Sequence, residues 1–208
     1  MSLDHRRKEK DKGRRRKGAC GFTLVELLIA MAVGLIVLAA IYGVFTLQNK
    51  ELKTQEQIAE MQQNARVAMD MMTREIRMAG YDPLQTANAG IVSPMPNSIN
   101  FTMDLNADGN TTDANENVTY ALYTSDGIQK LGRTTNGGTA WPVAEYIQSL
   151  TFEYYDKNGA VTATPANIRT IKITVAAETA LPDPDYTLNN GHRTATLTSH
   201  VTPRNLAY

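Results

Sequence analysis

The feature that most constrains this chain is an apolar run from Phe22 to Phe45 that comes directly after a basic stretch. At about 1.5 Å per residue, a helix over these positions spans roughly 36 Å, enough to cross a hydrocarbon core of about 30 Å. Residues 1–17 hold nine of the 21 Lys and Arg but only three of the 21 Asp and Glu. Basic residues ahead of an apolar span keep that end in the cytoplasm, so the remainder faces outward. The near-neutral whole therefore hides an asymmetry, and the chain beyond residue 17 is net acidic. A nucleic-acid partner needs a basic face on the folded part, and the sequence offers none. Cys20 is the lone cysteine, which excludes an intramolecular disulfide.

Two simpler readings of the N-terminus compete. A secretory signal peptide has a shorter apolar run with a small-residue cleavage site after it. Here the run is long, and a helical pattern continues past it. A plain signal anchor fits the length but does not explain Glu26, the only charge between Phe22 and Phe45. A carboxylate inside a membrane helix costs about 2.5–3.5 kcal/mol or more, so it is usually paired and functional.

The run Gly21-Phe22-Thr23-Leu24-Val25-Glu26-Leu27-Leu28 resembles the type IV prepilin processing signature. The resemblance implies cleavage by a prepilin peptidase between Gly21 and Phe22 and N-methylation of Phe22. It also implies that Glu26 meets the N-terminal amine of a neighbouring subunit during assembly. Glycine suits the cut because it lets a protease approach the backbone. Partners implied are other pilins through the N-terminal helix, the peptidase and inner-membrane lipid. The implied location is the bacterial inner membrane, single-pass with the C-terminus periplasmic, and then the pilus at the cell surface.

No proline interrupts residues 22–82, and Gly80 with Pro83 supplies the stop signal. Ile58, Met61, Ala65, Ala68, Met72 and Ile76 recur at three- and four-residue steps, one apolar face of a helix. Gln57, Glu60, Gln63, Asp70 and Arg74 lie on the solvent side. A helix from Phe22 to Ala79 would be about 87 Å long, so its first half is expected to protrude and to be buried by lipid or other subunits. The methionines at 61, 69, 71, 72 and 78 read as adaptable packing residues.

After Pro83 the composition shifts to Thr, Asn, Gly and Tyr with β-type alternation. Expected strands are Ser98–Leu105, Val118–Thr124, Ile128–Arg133, Ile147–Tyr155, Arg169–Ala177 and Thr194–Val201. Ser125-Asp126-Gly127 reads as a hairpin turn, Lys157-Asn158-Gly159 ends a strand, and Leu181–Asp185 is a loop. The expected fold is α+β and pilin-like, with a long N-terminal helix packed on a mostly antiparallel β-sheet head. The expected division is a leader at 1–21, a helix at 22–80 that is transmembrane to about 45, and a β-rich head at 81–208.

Asp104-Leu105-Asn106-Ala107-Asp108-Gly109 has the front half of an EF-hand-type calcium loop. Its twelfth position holds Asn115, with Glu116 one residue late. Asp104, Asn106, Asp108, Asp113 and Glu116 are the candidate Ca²⁺ ligands, against the plainer reading of a polar Asx-rich turn.

Beyond the leader, Arg74–Tyr81 and Val201–Leu206 resemble the PilW-type minor pilins, which implies a subunit that primes or caps pilus assembly. A J-type minor pseudopilin of type II secretion and a pilus-tip adhesin are the alternatives. An enzyme is not expected. His5 leaves with the leader, and no nucleophile–base grouping or zinc spacing surrounds His192 or His200, both expected on a surface strand. Gly137-Gly138 reads as a turn, since no helix start with a lysine comes after it.

Overall fold

In a computed structural model, residues 21–206 are described. The chain divides into two compact units, residues 1–49 and 50–208. Helix α1 (Leu24–Ile76) contributes to both. In the first unit every helical residue is exposed except Gly34, which is half-buried. This stretch is long and apolar enough to cross a membrane.

The second unit is built on the C-terminal part of α1. Met61, Ala65, Ala68, Met72 and Ile76 are buried there with Ile58 partly so, the face expected from their spacing. Met69 and Met71 pack against the same core, while Met78 lies on the surface. α-Helical structure ends at Ile76 and turns continue to Gly80 (φ 78°). A Cβ on Gly80 would meet the Leu206 side chain at 2.7 Å. That close approach, together with the left-handed backbone, is why glycine stands there.

The β-rich part is antiparallel throughout, as expected, and is divided into two sheets. The first orders β1 (Ile91–Pro94), β2 (Ser98–Thr102), β3 (Asn117–Ser125), β4 (Ile128–Thr135) and β5 (Trp141–Glu145) in sequence. The second orders β6 (Ile147–Tyr155), β7 (Thr170–Glu178) and β8 (Thr194–Val201). The break falls at Tyr146, a non-glycine residue at φ 57° between β5 and β6. There the chain leaves one sheet and enters the other. Side-chain and backbone bonds tie the two together: Tyr154 donates its hydroxyl to the Met95 carbonyl at 2.8 Å, and Phe152 N–H donates to Pro96 O at 2.7 Å.

The expected strands at Ile147–Tyr155 and Thr194–Val201 occur with those bounds, and the other four differ at their ends by one to three residues. β2 stops at Thr102 rather than Leu105, because Asp104 turns into a loop. β1 and β5 were not expected; the first is only four residues, and the second carries Pro142 on a sheet edge. The β3–β4 hairpin turns through Asp126 (φ 55°) and Gly127 (φ 76°), the primed geometry that favours Asp-Gly. His200 lies on β8, exposed. His192 does not lie on a strand; it comes after a short 3₁₀ turn (Asn189–Gly191), half-buried, with Nδ1 2.6 Å from the Thr179 carbonyl.

Residues 179–193 form a loop held by charge. Arg193 donates to Asp183 Oδ2 through Nη2 (2.8 Å) and Nε (3.2 Å) and stacks over the Tyr186 ring at 5.0 Å. Lys50 on α1 pairs with Asp185 of the same loop. The Arg193 bonds, then the Asp185 N–H, hold the Asp183 carboxyl below its usual range. A depressed carboxylate contributes stability above its unfolded value of about 3.9, and this is lost as pH falls through the folded one. Amide exchange at Asp183 and Tyr186, corrected for intrinsic rate, should therefore accelerate in acid below about pH 4. Asp183→Asn should show the same loosening at neutral pH; equal protection in the variant would rule out the ion pair as the clasp.

Candidate functional site

The start of α1 is a capping box. Thr23, the residue before the helix, donates both its N–H and its Oγ1–H to Glu26 Oε2, each at 2.8 Å. Glu26 N–H donates back to Thr23 Oγ1 at 3.2 Å. Thr-x-x-Glu is the sequence pattern for this motif, which satisfies donors that the first helical turn leaves free. Glu26 thus has a local role in starting the helix that the processing signature alone does not suggest. All the residues involved are exposed, as are Gly21 and Phe22. The rest of the expected leader, with Cys20 and His5, lies outside the described residues.

The second unit carries a polar clamp between α1 and the first sheet. Arg133 on β4 donates through Nε to both oxygens of Glu75, at 3.0 and 2.9 Å. The fully buried Tyr120 donates its hydroxyl to Glu75 Oε2 at 2.7 Å. Tyr120 and Arg133 are directly opposite in the β3–β4 register, so two strands converge on one helical carboxylate. Burial, and then the adjacent Glu75 charge, push the Tyr120 phenol up, keeping it a donor. Neither Tyr120 nor Arg133 stood out in the sequence, because each is one alternating position on an ordinary strand.

A third feature joins the chain's far segments. Arg204 N–H donates to Arg77 O at 3.1 Å, and the Asn205 side chain donates to Met78 O at 3.4 Å. Leu206 packs over Gly80. Segments 74–81 and 201–206 therefore meet at the C-terminal end of α1.

The loop expected to take calcium closes on its own backbone. Asp104 is fully buried, with Oδ1 accepting Ala107 and Asp108 N–H and Oδ2 accepting Gly109 N–H. Glu116 is likewise buried and accepts Leu105 N–H (2.9 Å) and Asp113 N–H (3.2 Å). The Asn106 amide bridges Asp108 and Asp113 at 3.2 and 3.0 Å. Among the described residues no three carboxylate, imidazole or thiol groups are gathered as a metal-holding set.

With this geometry in place, the comparisons with known proteins divide along the same lines. Residues 16–42 match the prokaryotic N-terminal methylation motif, and residues 54–201 match the model for prepilin peptidase-dependent protein B. The chain belongs to the prepilin peptidase-dependent protein B family. The match runs through the C-terminal part of α1 and both sheets, and with the methylation motif it makes the chain a type IV pilin-like protein. A pilin-like protein, PilA3, of Thermus thermophilus is 37% identical over 60 residues. That stretch covers 29% of this chain and 26% of the relative, so the chain spans only about a quarter of the length of the relative it matches. A solved type IV-like pilin, also from Thermus thermophilus, is 13% identical, with a TM-score of 0.45 over 70% of this chain and 97% of that one.

Proposed function

We propose that this family member is a minor subunit of a type IV pilus, cut between Gly21 and Phe22, N-methylated on Phe22 and helping to prime or cap the filament. The observation that carries the filament reading is the apolar half of α1. From Leu24 to Leu47 its large apolar side chains are exposed, and its only charge is the carboxylate at Glu26. Such a surface requires lipid or neighbouring helices to cover it. The minor-pilin assignment draws on the two segments that resemble PilW-type proteins, Arg74–Tyr81 and Val201–Leu206. They are far apart in sequence yet meet at the end of α1, so the resemblance concerns one structural element rather than two unrelated matches.

Deleting the gene discriminates the readings. A priming or capping subunit predicts loss of surface pili, restored by the intact chain. Pili that persist but fail to adhere would favour a tip adhesin. Intact pili with a block in protein export would favour a J-type pseudopilin.

A further inference from the structure

Three Asn-x-Thr triplets occur in the chain: Asn100-Phe101-Thr102, Asn110-Thr111-Thr112 and Asn117-Val118-Thr119. This is the acceptor pattern for N-linked glycans on exported proteins, and with two fixed residues it matches often by accident. The structure separates the three. Asn100 lies on β2, and its amide nitrogen donates to Asn117 Oδ1 (2.6 Å), Thr119 Oγ1 (2.8 Å) and Val118 O (3.1 Å). That nitrogen is committed, and the Thr102 hydroxyl of the same triplet is turned to Gly90. At Asn117 the amide oxygen accepts from Asn100, and so does the Thr119 hydroxyl that would have to face it.

Asn110 is arranged in the opposite way. Its Oδ1 accepts both the Thr112 N–H (2.8 Å) and the Thr112 Oγ1–H (2.7 Å), while Nδ2 makes no hydrogen bond among the described residues. Residues 105–115 form a half-buried to exposed loop between β2 and β3, with no strand pairing to break. Asp108, two residues ahead, accepts the Asn110 N–H at 3.0 Å and holds the turn. From these contacts we propose that Asn110 is an acceptor for an N-linked glycan, donated by a polyprenyl-diphosphate-linked sugar on the exported side of the membrane.

The geometry suits the chemistry. An amide nitrogen is a poor nucleophile because its lone pair is shared with the carbonyl. Two hydrogen bonds into Oδ1 draw charge onto the oxygen and make the free N–H more acidic, so it is the removal of that proton by a base of the transferase that they favour, and this frees the nitrogen electron pair. Nδ2 attacks the anomeric carbon of the sugar. The bond from that carbon to the diphosphate oxygen breaks, and polyprenyl diphosphate leaves with the electron pair. The displaced amide proton passes to a base of the transferase, and nothing is oxidised or reduced. The proposal rests on export of the folded part but not on a filament role.

Protein purified from its own cells, digested and mapped by mass spectrometry provides the test. A sugar mass is expected on Asn110, with Asn100 and Asn117 bare. It should vanish in Asn110→Gln and Thr112→Ala and persist in Thr112→Ser, which keeps the hydroxyl. A bare Asn110, or a sugar on the hydroxyl of Thr111 or Thr112, would overturn the proposal. The same digest reports the N-terminal residue, so bare Asn110 on a chain starting at Phe22 sinks the glycan and leaves the filament reading standing.

Discussion

Glu26→Gln is expected to leave cleavage at Gly21 intact while reducing incorporation into sheared filaments by at least about tenfold. Gln accepts hydrogen bonds through its side-chain oxygen, so the two bonds from Thr23 are retained and the helix starts as before. Only the charge is removed. In the proposed mature subunit the cut leaves a cationic amine on Phe22, close to an apolar layer. A carboxylate about 4 Å from such an amine is attracted by about 4 kcal/mol at an effective dielectric near 20, against about 1 kcal/mol in water. Losing that attraction is worth up to about three orders of magnitude in an equilibrium constant, more than a helix cap supplies. Thr23→Ala separates the two roles: it weakens the cap by about 1 kcal/mol and keeps the charge, so incorporation should fall far less. Equal incorporation of Glu26→Gln and the unaltered chain, measured by immunoblot of sheared filaments, would remove Glu26 from assembly.

The second large effect is expected at the clamp. Arg133→Met leaves Glu75 facing the β3–β4 surface without its cation, with only Tyr120 still donating to it. Breaking a buried ion pair from one side costs about 3–5 kcal/mol, and far less at an exposed site. Arg133 and Glu75 side chains are 15% and 23% exposed, so about 2–3 kcal/mol is expected, at or below the lower end of the buried range. Glu75→Gln combined with Arg133→Met should recover most of that loss, because no unpaired charge remains. Urea denaturation of the detergent-solubilised protein, monitored by near-ultraviolet circular dichroism, measures both. A single variant within about 0.5 kcal/mol of the parent, as surface substitutions usually are, would show that the clamp does not hold the helix to the sheet.

The long helix was legible because its signals are periodic and repeated. Five of the six apolar positions read from Ile58 to Ile76 are buried and Ile58 is partly so. Strands with clean alternation, such as β7 around Ile171-Lys172-Ile173, were equally plain. What the sequence hid has physical causes. The division into two sheets turns on the backbone of Tyr146, where a tyrosine at positive φ leaves no compositional mark. β5 carries a proline, which argues against a central strand and is tolerated here only at the sheet edge. The clamp needed two residues 58 positions apart to meet, which no local pattern encodes. The Thr23–Glu26 box, by contrast, was written in the spacing and was masked by the more specific processing signature over the same residues.

The central claim is that a new amino terminus is made at Phe22 beside a lone carboxylate in an apolar helix. Mass spectrometry of the protein isolated from native membranes or filaments tests it most directly. The expected result is a chain beginning at a methylated Phe22, with residues 1–21 gone. A chain still carrying those residues would contradict it, because the amine that Glu26 is proposed to meet would not exist.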